Sequence, residues 1–115
     1  MEQFELHRSY RGKEICAFIL RLPEGIHISL YGGDLAHIGA VGIVDPSGCC
    51  SVTEFSRHRE GVVCERWASA FADAHLCPAV VEAGIHYENL DSPGIQAVLE
   101  LTDGLLEEAV RRLTQ

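Results

Sequence analysis

The sequence has few basic residues and no long apolar segment. Its 9 lysines and arginines are outnumbered by 17 aspartates and glutamates, which gives a net charge of -8 at pH 7. Because no basic stripe is available to displace counterions, we expect no nucleic-acid partner. No apolar run approaches the ~18 residues that a membrane span needs, and residues 1–5 have neither the basic nor the apolar part of a signal peptide. We therefore expect a cytoplasmic protein with no membrane partner.

The cysteines do not have the spacing of a metal-binding or redox motif. There are 5 of them, and no Cys-x-x-Cys pair occurs. In a reducing cytoplasm we expect free thiols. Cys16, Cys64 and Cys77 are flanked by apolar residues and are predicted to act as small buried hydrophobes. Cys49 and Cys50 are predicted to lie in a turn, where no neighbouring cation indicates a reactive thiol.

The chain also lacks internal repeats, linkers and low-complexity segments. At 115 residues it is long enough for one hydrophobic core and too short for two, so residues 1–115 are predicted to form a single domain. The apolar fraction of 47% and the charged fraction of 23% are those of an ordinary globular protein. No serine or cysteine stands in a recognisable nucleophile motif, which argues against a Ser/His/Asp or Cys/His enzyme.

Short apolar or alternating runs, bounded by turn residues, predict five strands in succession. They cover residues 4–10, 15–22, 26–31, 38–44 and 50–55. Because short connections join these strands, an antiparallel meander is predicted. The glycines at positions 39 and 42 leave the fourth strand poor in side chains, so we expect another group to approach its backbone closely.

A helical period begins at Glu60. Apolar residues at helical spacing predict a first helix that ends near His75, and residues 79–85 then predict a sixth strand. A second helix is predicted to begin at Asp91-Ser92-Pro93, because a capping aspartate precedes a proline of the first turn. Its apolar face extends to Leu113.

The element order β-β-β-β-β-α-β-α predicts an α+β fold. We expect a mostly antiparallel sheet with both helices packed on one face. The other face of the sheet is then either exposed to solvent or covered in a homodimer.

Polar side chains cluster where the predicted elements begin or end. There are three such groups: Asp34 and His37 between the third and fourth strands, Arg57-His58-Arg59-Glu60 before the first helix, and His86-Tyr87-Glu88-Asn89 after the sixth strand. A helix N-terminus with two adjacent arginines would hold a phosphate well. Loops at the carboxyl ends of strands are common ligand positions.

Each group also has a simpler interpretation. The first is compatible with a polar hairpin loop, the second with a solvated helix entrance, and a single histidine at a strand end is often only a hydrogen-bonded structural residue. Taken together, the histidines and carboxylates have the chemistry of a divalent metal site, with His37, His58, His86, Glu60 and Glu88 as candidate ligands. Their spacing does not decide between these interpretations.

The three groups together resemble the LpdD-like family of prenylated-flavin chaperones, which accompany UbiD-type decarboxylases. The matching segments are Gly32-Gly33-x-x-x-His37-Ile38-Gly39-Ala40-Val41, His58-x-Glu60 and Gly84-Ile85-His86-x-Glu88-Asn89, in the order of the family pattern and over about residues 30–97. The chain departs from that pattern in three places. Arg57 replaces a glycine, Arg59 replaces a lysine, and Glu88 replaces an aspartate.

The resemblance implies a fold similar to that of proteasome assembly chaperones, which are often dimeric. It implies a non-enzymatic protein that binds reduced prenylated FMN and supports its delivery to, or oxidative maturation in, a UbiD-type decarboxylase. The positions that would contact the cofactor are Gly32, Gly33, Asp34, His37, Gly39, Arg57, His58, Arg59, Glu60, His86 and Asn89. The arginines or a divalent metal would hold the phosphate, and the small residues of the fourth strand would leave room for a flat ring.

Two other hypotheses remain open at this point. The protein could be a small metal-dependent hydrolase or isomerase that uses His37, His58 and His86. It could also be an assembly factor without a ligand, acting through a dimeric sheet face.

Overall fold

Six strands and two helices make up the part of the chain described by the computed structural model, which covers residues 1–55 and 60–115. The elements are β1 (Glu2–Tyr10), β2 (Lys13–Leu22), β3 (Gly25–Gly33), β4 (Ala40–Val44), β5 (Cys50–Glu54), α1 (Glu60–Asp73), β6 (Ala79–His86) and α2 (Ser92–Leu113). The predicted element order and the α+β class are confirmed.

The strands form one sheet in the order β1-β2-β3-β6-β4-β5. The predicted five-strand meander is therefore wrong, because β6 lies between β3 and β4, parallel to β3 and antiparallel to β4. A parallel neighbour needs a crossover connection, and α1 provides it. The segment between β3 and β4 is consequently not a hairpin loop, since it has to pass the end of β6 to reach the next strand position.

Both helices pack on the same face of the sheet, as predicted. A row of buried residues crosses this face from strand to strand: Leu6, Ala17, Leu30, Ala83 and Ala40. The helix α1 covers β4, β5 and β6, and α2 covers β1 and β2. Each helix contributes large apolar side chains to the core beneath it, among them Trp67 and Phe71 from α1 and Leu105 and Leu113 from α2.

The start of α2 follows from its sequence. Asp91 is the N-cap, and its Oδ1 accepts a hydrogen bond of 2.8 Å from the backbone N–H of Gly94. Further along, an ion pair of 2.8 Å between Arg8 and Glu108 fixes the helix to β1. No helix of residues 1–55 and 60–115 is long and apolar enough to cross a membrane.

The opposite face of the sheet, here called the open face, is not covered by either of the two described helices. At its centre the carboxylate of Glu82 is surrounded by Ser29 Oγ at 3.0 Å, Tyr31 Oη at 3.2 Å and His27 Nε2 at 3.2 Å. The same face also exposes large apolar side chains: Phe18, Leu22, Ile43 and Val80. It therefore combines a polar centre with an apolar surround.

The five cysteines are free thiols. Cys64 is fully buried, as predicted, and burial raises the pKa of its thiol to about 11. The same prediction is wrong for Cys16, which lies half-buried on the open face. Its neighbours Ile15 and Ala17 point into the core, and the alternation of a strand then turns Cys16 the other way.

Candidate functional site

The parallel strands β3 and β6 end side by side, at Gly33 and His86. Asp34 joins the two ends, because its backbone N–H donates to the His86 carbonyl at 2.6 Å and its Oδ2 accepts from the Glu88 N–H at 3.0 Å. The chain then turns back as segment 34–39 and enters β4. This end of the sheet brings together the first and third polar groups of the sequence.

Glycines allow segment 34–39 to lie directly against β6. Gly33 has a φ of +83°, and a Cβ there would overlap the His86 carbonyl. A Cβ on Gly84 would overlap the carbonyl of His37, which lies over it. Gly32 is required for another reason, since a Cβ would come within 2.7 Å of Ile15 Cα on β2. The close approach at Gly84 is what positions His37.

His37 forms an ion pair with Glu60, the first residue of α1. The His37 Nε2 and the Glu60 Oε1 are 2.9 Å apart, and their side chains are 21% and 4% exposed. The geometry is that of a charge contact rather than a linear hydrogen bond, and Glu60 Oε2 accepts no hydrogen bond from the described residues. A buried carboxylate is stable only with a cation or donors close by, so His37 and Glu60 depend on each other.

His86 completes a pair of imidazoles. The ring centroids of His37 and His86 are 6.4 Å apart, with the planes at 78°. The structure thus gathers four predicted site residues, Asp34, His37, Glu60 and His86, at one end of the sheet. Two imidazoles beside a buried carboxylate can donate and accept hydrogen bonds toward a polar ligand.

The other predicted site residues are placed differently or lie outside the described residues. Asn89 is exposed in the turn before α2, with a φ of +57° that asparagine tolerates. Glu88 offers Asp34 its backbone N–H rather than its carboxylate. The predicted phosphate-binding residues Arg57, His58 and Arg59 lie outside the described residues.

The predicted divalent metal at this end of the sheet has no support from the ligands with known positions. Over residues 1–55 and 60–115, one group of three His, Cys, Asp or Glu ligand atoms lies within 4.8 Å, and it consists of His7, Glu14 and Cys16 on β1 and β2. His37, Glu60 and His86 do not form such a group.

The expected close approach at the glycines of β4 is confirmed, and the approaching element is α1. A Cβ on Gly39 would lie 2.6 Å from Glu60 Cδ, and one on Gly42 would lie 3.3 Å from the Cys64 Cβ. The helix therefore occupies the space that the sequence suggested for a flat ring. A planar ligand cannot occupy the same space.

Two supporting residues lie in the segments singled out from the sequence but were not among the predicted cofactor or metal contacts. Gly84 accommodates His37, as described above, and its place in the Gly-Ile-His segment was the available signal. Tyr87 is buried, and its hydroxyl donates to the Lys13 carbonyl at 2.8 Å. Burial and then the nearby Asp34 carboxylate raise the pKa of this phenol. Tyr87 thereby fixes the end of β6 to β2.

Comparison with known proteins identifies a family. The family model described as the prenylated flavin chaperone LpdD-like domain matches residues 9–114. No curated protein matches the chain significantly. The family match covers nearly the whole chain, including the strand ends that carry His37 and His86 and the start of α1 at Glu60. The chain therefore belongs to the LpdD-like prenylated flavin chaperone family.

Proposed function

We propose that this protein binds reduced prenylated FMN and supports its delivery to, or oxidative maturation in, a UbiD-type decarboxylase. It acts as an accessory protein in the cytoplasm and is not itself an enzyme. Membership of the prenylated flavin chaperone family supports the ligand. Its five free thiols are in keeping with a reducing compartment.

The observation that carries this proposal is the imidazole pair of His37 and His86 above the buried Glu60. The centroids are 6.4 Å apart and the Glu60 side chain is 4% exposed. Glu60 Oε2 accepts no hydrogen bond from residues 1–55 and 60–115, whereas most buried carboxylate oxygens in folded proteins have a hydrogen-bond partner. In our proposal His37 and His86 contact polar atoms of the flavin, and Glu60 Oε2 accepts from an N–H of the ligand.

The phosphate of the cofactor needs positive charge in a chain whose net charge is -8. Arg57, His58 and Arg59 directly precede Glu60 in the sequence. We propose that they bind the phosphate, because guanidinium groups form paired, charge-assisted hydrogen bonds with phosphate oxygens. The flavin ring and the phosphate would then be held by segments that meet at the first residue of α1.

Anaerobic titration with reduced prenylated FMN, followed by absorbance, tests this proposal. His37→Ala and His86→Ala should each lose at least 10-fold in affinity. His75→Asn is the matched control, because His75 is exposed beyond α1 with a φ of +58° that asparagine tolerates. Unchanged affinity in both alanine variants would refute the assignment of the site, and no spectral change with wild-type protein would refute the ligand.

The open face favours homodimer formation as an additional property. Phe18 and Leu22 are each 40% exposed there, and Ile43 is 47% exposed. Exposed apolar side chains that share one face commonly mark an interface. Light scattering should give twice the chain mass for wild-type protein and the single mass for Phe18→Glu. If the Phe18→Glu monomer lost a protein partner while His37→Ala and His86→Ala retained it, the function would instead be that of an assembly factor acting through this face.

A further inference from the structure

A second cluster of polar side chains lies on the open face at the β1–β2 edge of the sheet. His7 and Cys16 are direct cross-strand partners, and Glu14 precedes Cys16 by two residues on the same face. The His7 Nδ1 lies 3.1 Å from the Cys16 Sγ and 3.3 Å from Glu14 Oε2, and the Sγ and Oε2 are 3.6 Å apart. Three different ligand types thus converge on one point.

The spacing of these atoms matches the coordination sphere of a tetrahedral metal ion. With a Zn–S bond of about 2.3 Å and Zn–N and Zn–O bonds of about 2.0–2.1 Å, ligand atoms at tetrahedral angles are about 3.3–3.6 Å apart. The three observed separations run from 3.1 to 3.6 Å. One ion could contact all three atoms after only small shifts. The fourth position would face solvent, since His7 and Glu14 are largely exposed.

Glu5 gives His7 the second contact that histidine ligands normally have. Its Oε2 lies 3.2 Å from His7 Nε2, on the side of the ring away from the cluster. A carboxylate at this nitrogen keeps the proton on Nε2 and leaves the Nδ1 lone pair directed at Cys16 and Glu14. This outer carboxylate distinguishes the cluster from a chance group of surface acids, because it fixes the tautomer that a metal requires.

We propose that His7, Glu14 and Cys16 bind a divalent transition metal such as Zn²⁺, with Glu5 as the residue that positions His7. The thiolate and imidazole ligands favour Zn²⁺ or Co²⁺ over Mg²⁺ or Ca²⁺, which prefer oxygen. His7 and Glu5 precede residue 9, where the match to the family begins. The site shares no residue with the proposed flavin site.

Binding would displace the thiol proton of Cys16. A cysteine sulfur binds a metal ion as the thiolate. The ion takes the place of that proton on sulfur, and one proton passes to solvent for each metal bound. Affinity should consequently fall as the pH is lowered.

Titration of reduced, metal-free protein with Co²⁺ tests the proposal. The expected result is a thiolate-to-cobalt charge-transfer absorption at one equivalent, which Zn²⁺ abolishes by displacing the cobalt. Cys16→Ser and His7→Ala should lose the absorption, whereas Cys49→Ser and His75→Asn should keep it. Glu5→Gln should keep it but weaken binding by about 10–100-fold, as expected for the partner of a histidine ligand.

Circular dichroism of each variant establishes whether it is folded. Because the His7 side chain is exposed, His7→Ala removes a proposed ligand without changing the hydrophobic core. Absence of the absorption in wild-type protein would overturn the proposal. So would its persistence in folded Cys16→Ser, since the sulfur ligand would then be another cysteine.

Discussion

The ion pair between His37 and Glu60 makes a quantitative prediction about stability. Replacing His37 with alanine removes the imidazole beside a carboxylate that is only 4% exposed. Removing one partner of a buried pair typically costs about 3–5 kcal/mol. Because His37 itself is 21% exposed, we expect the lower end, about 3 kcal/mol for His37→Ala. For a domain of this size that corresponds to a fall in Tm of roughly 10 °C.

The double variant His37→Ala/Glu60→Gln should be more stable than His37→Ala alone. Glu60→Gln keeps the shape of the side chain and removes its charge, so the single change should cost only about 1 kcal/mol. In the double variant a neutral amide is left in place of an isolated charge. We therefore expect it to recover about 1–2 kcal/mol relative to His37→Ala, a marked departure from additivity.

Urea denaturation at neutral pH is a suitable assay, because the only tryptophan is the fully buried Trp67. Its fluorescence reports unfolding of the core beneath α1. The reasoning would be refuted if the two single changes simply added in the double variant. It would also be refuted if His37→Ala were as stable as wild-type protein, since Glu60 would then not depend on the imidazole.

Three further predictions concern other parts of the molecule. Gly84→Ala should destabilise the protein by about 1–3 kcal/mol through overpacking and weaken flavin binding. Gly104→Ala in α2 should be neutral or stabilise, because the atom nearest the new Cβ would be Arg8 Nε on β1, at 4.0 Å. Thermal unfolding of both variants checks this, and equal effects would contradict it. Iodoacetamide at about pH 8 should modify the exposed Cys49 but not the buried Cys64 until denaturant is added, and peptide mapping that found Cys64 modified in native protein would oppose the described burial. Hydrogen bonds from a serine hydroxyl and from backbone N–H groups hold the pKa of Asp45 below its ordinary value of 3.8. This contribution is present above the unfolded pKa and is lost as the pH falls through the lower folded value. Asp45→Asn should therefore be less stable than wild-type protein at neutral pH and converge with it in acid, and urea midpoints that differed by a constant amount would contradict this.

Local chemistry allowed much of the fold to be predicted from sequence. Asp91-Ser92-Pro93 marks the start of α2 because capping and proline act within one turn, and the structure confirms it. The position of β6 was not predictable in this way. The hydrophobic period of a strand indicates which of its side chains face the core, but not which strands lie beside it. The neighbours of β6 in the sheet, β3 and β4, are remote from it in sequence.

The candidate site was predicted in part, for a different reason. His37, Glu60 and His86 were grouped as candidate metal ligands by their chemistry and then by resemblance to a family, since nothing in their spacing requires them to meet. Gly39 indicated a close contact but not its partner, Glu60. The exposure of Cys16 on the open face, in contrast, could have been predicted from the sequence. Side chains alternate along a strand, and Ile15 and Ala17 on either side of Cys16 face the core.

The insertion of β6 between β3 and β4 has a consequence for the proposed flavin site. His37 follows β3 and His86 ends β6, so the two rings can meet only when β3 and β6 are paired. A ligand bound between the two rings would stabilise the state in which these strands are paired by about 2.7 kcal/mol, at a ligand concentration 100 times its Kd. Hydrogen exchange in β6 should therefore slow when flavin is loaded, and a partner that loosens this central strand would release the cofactor.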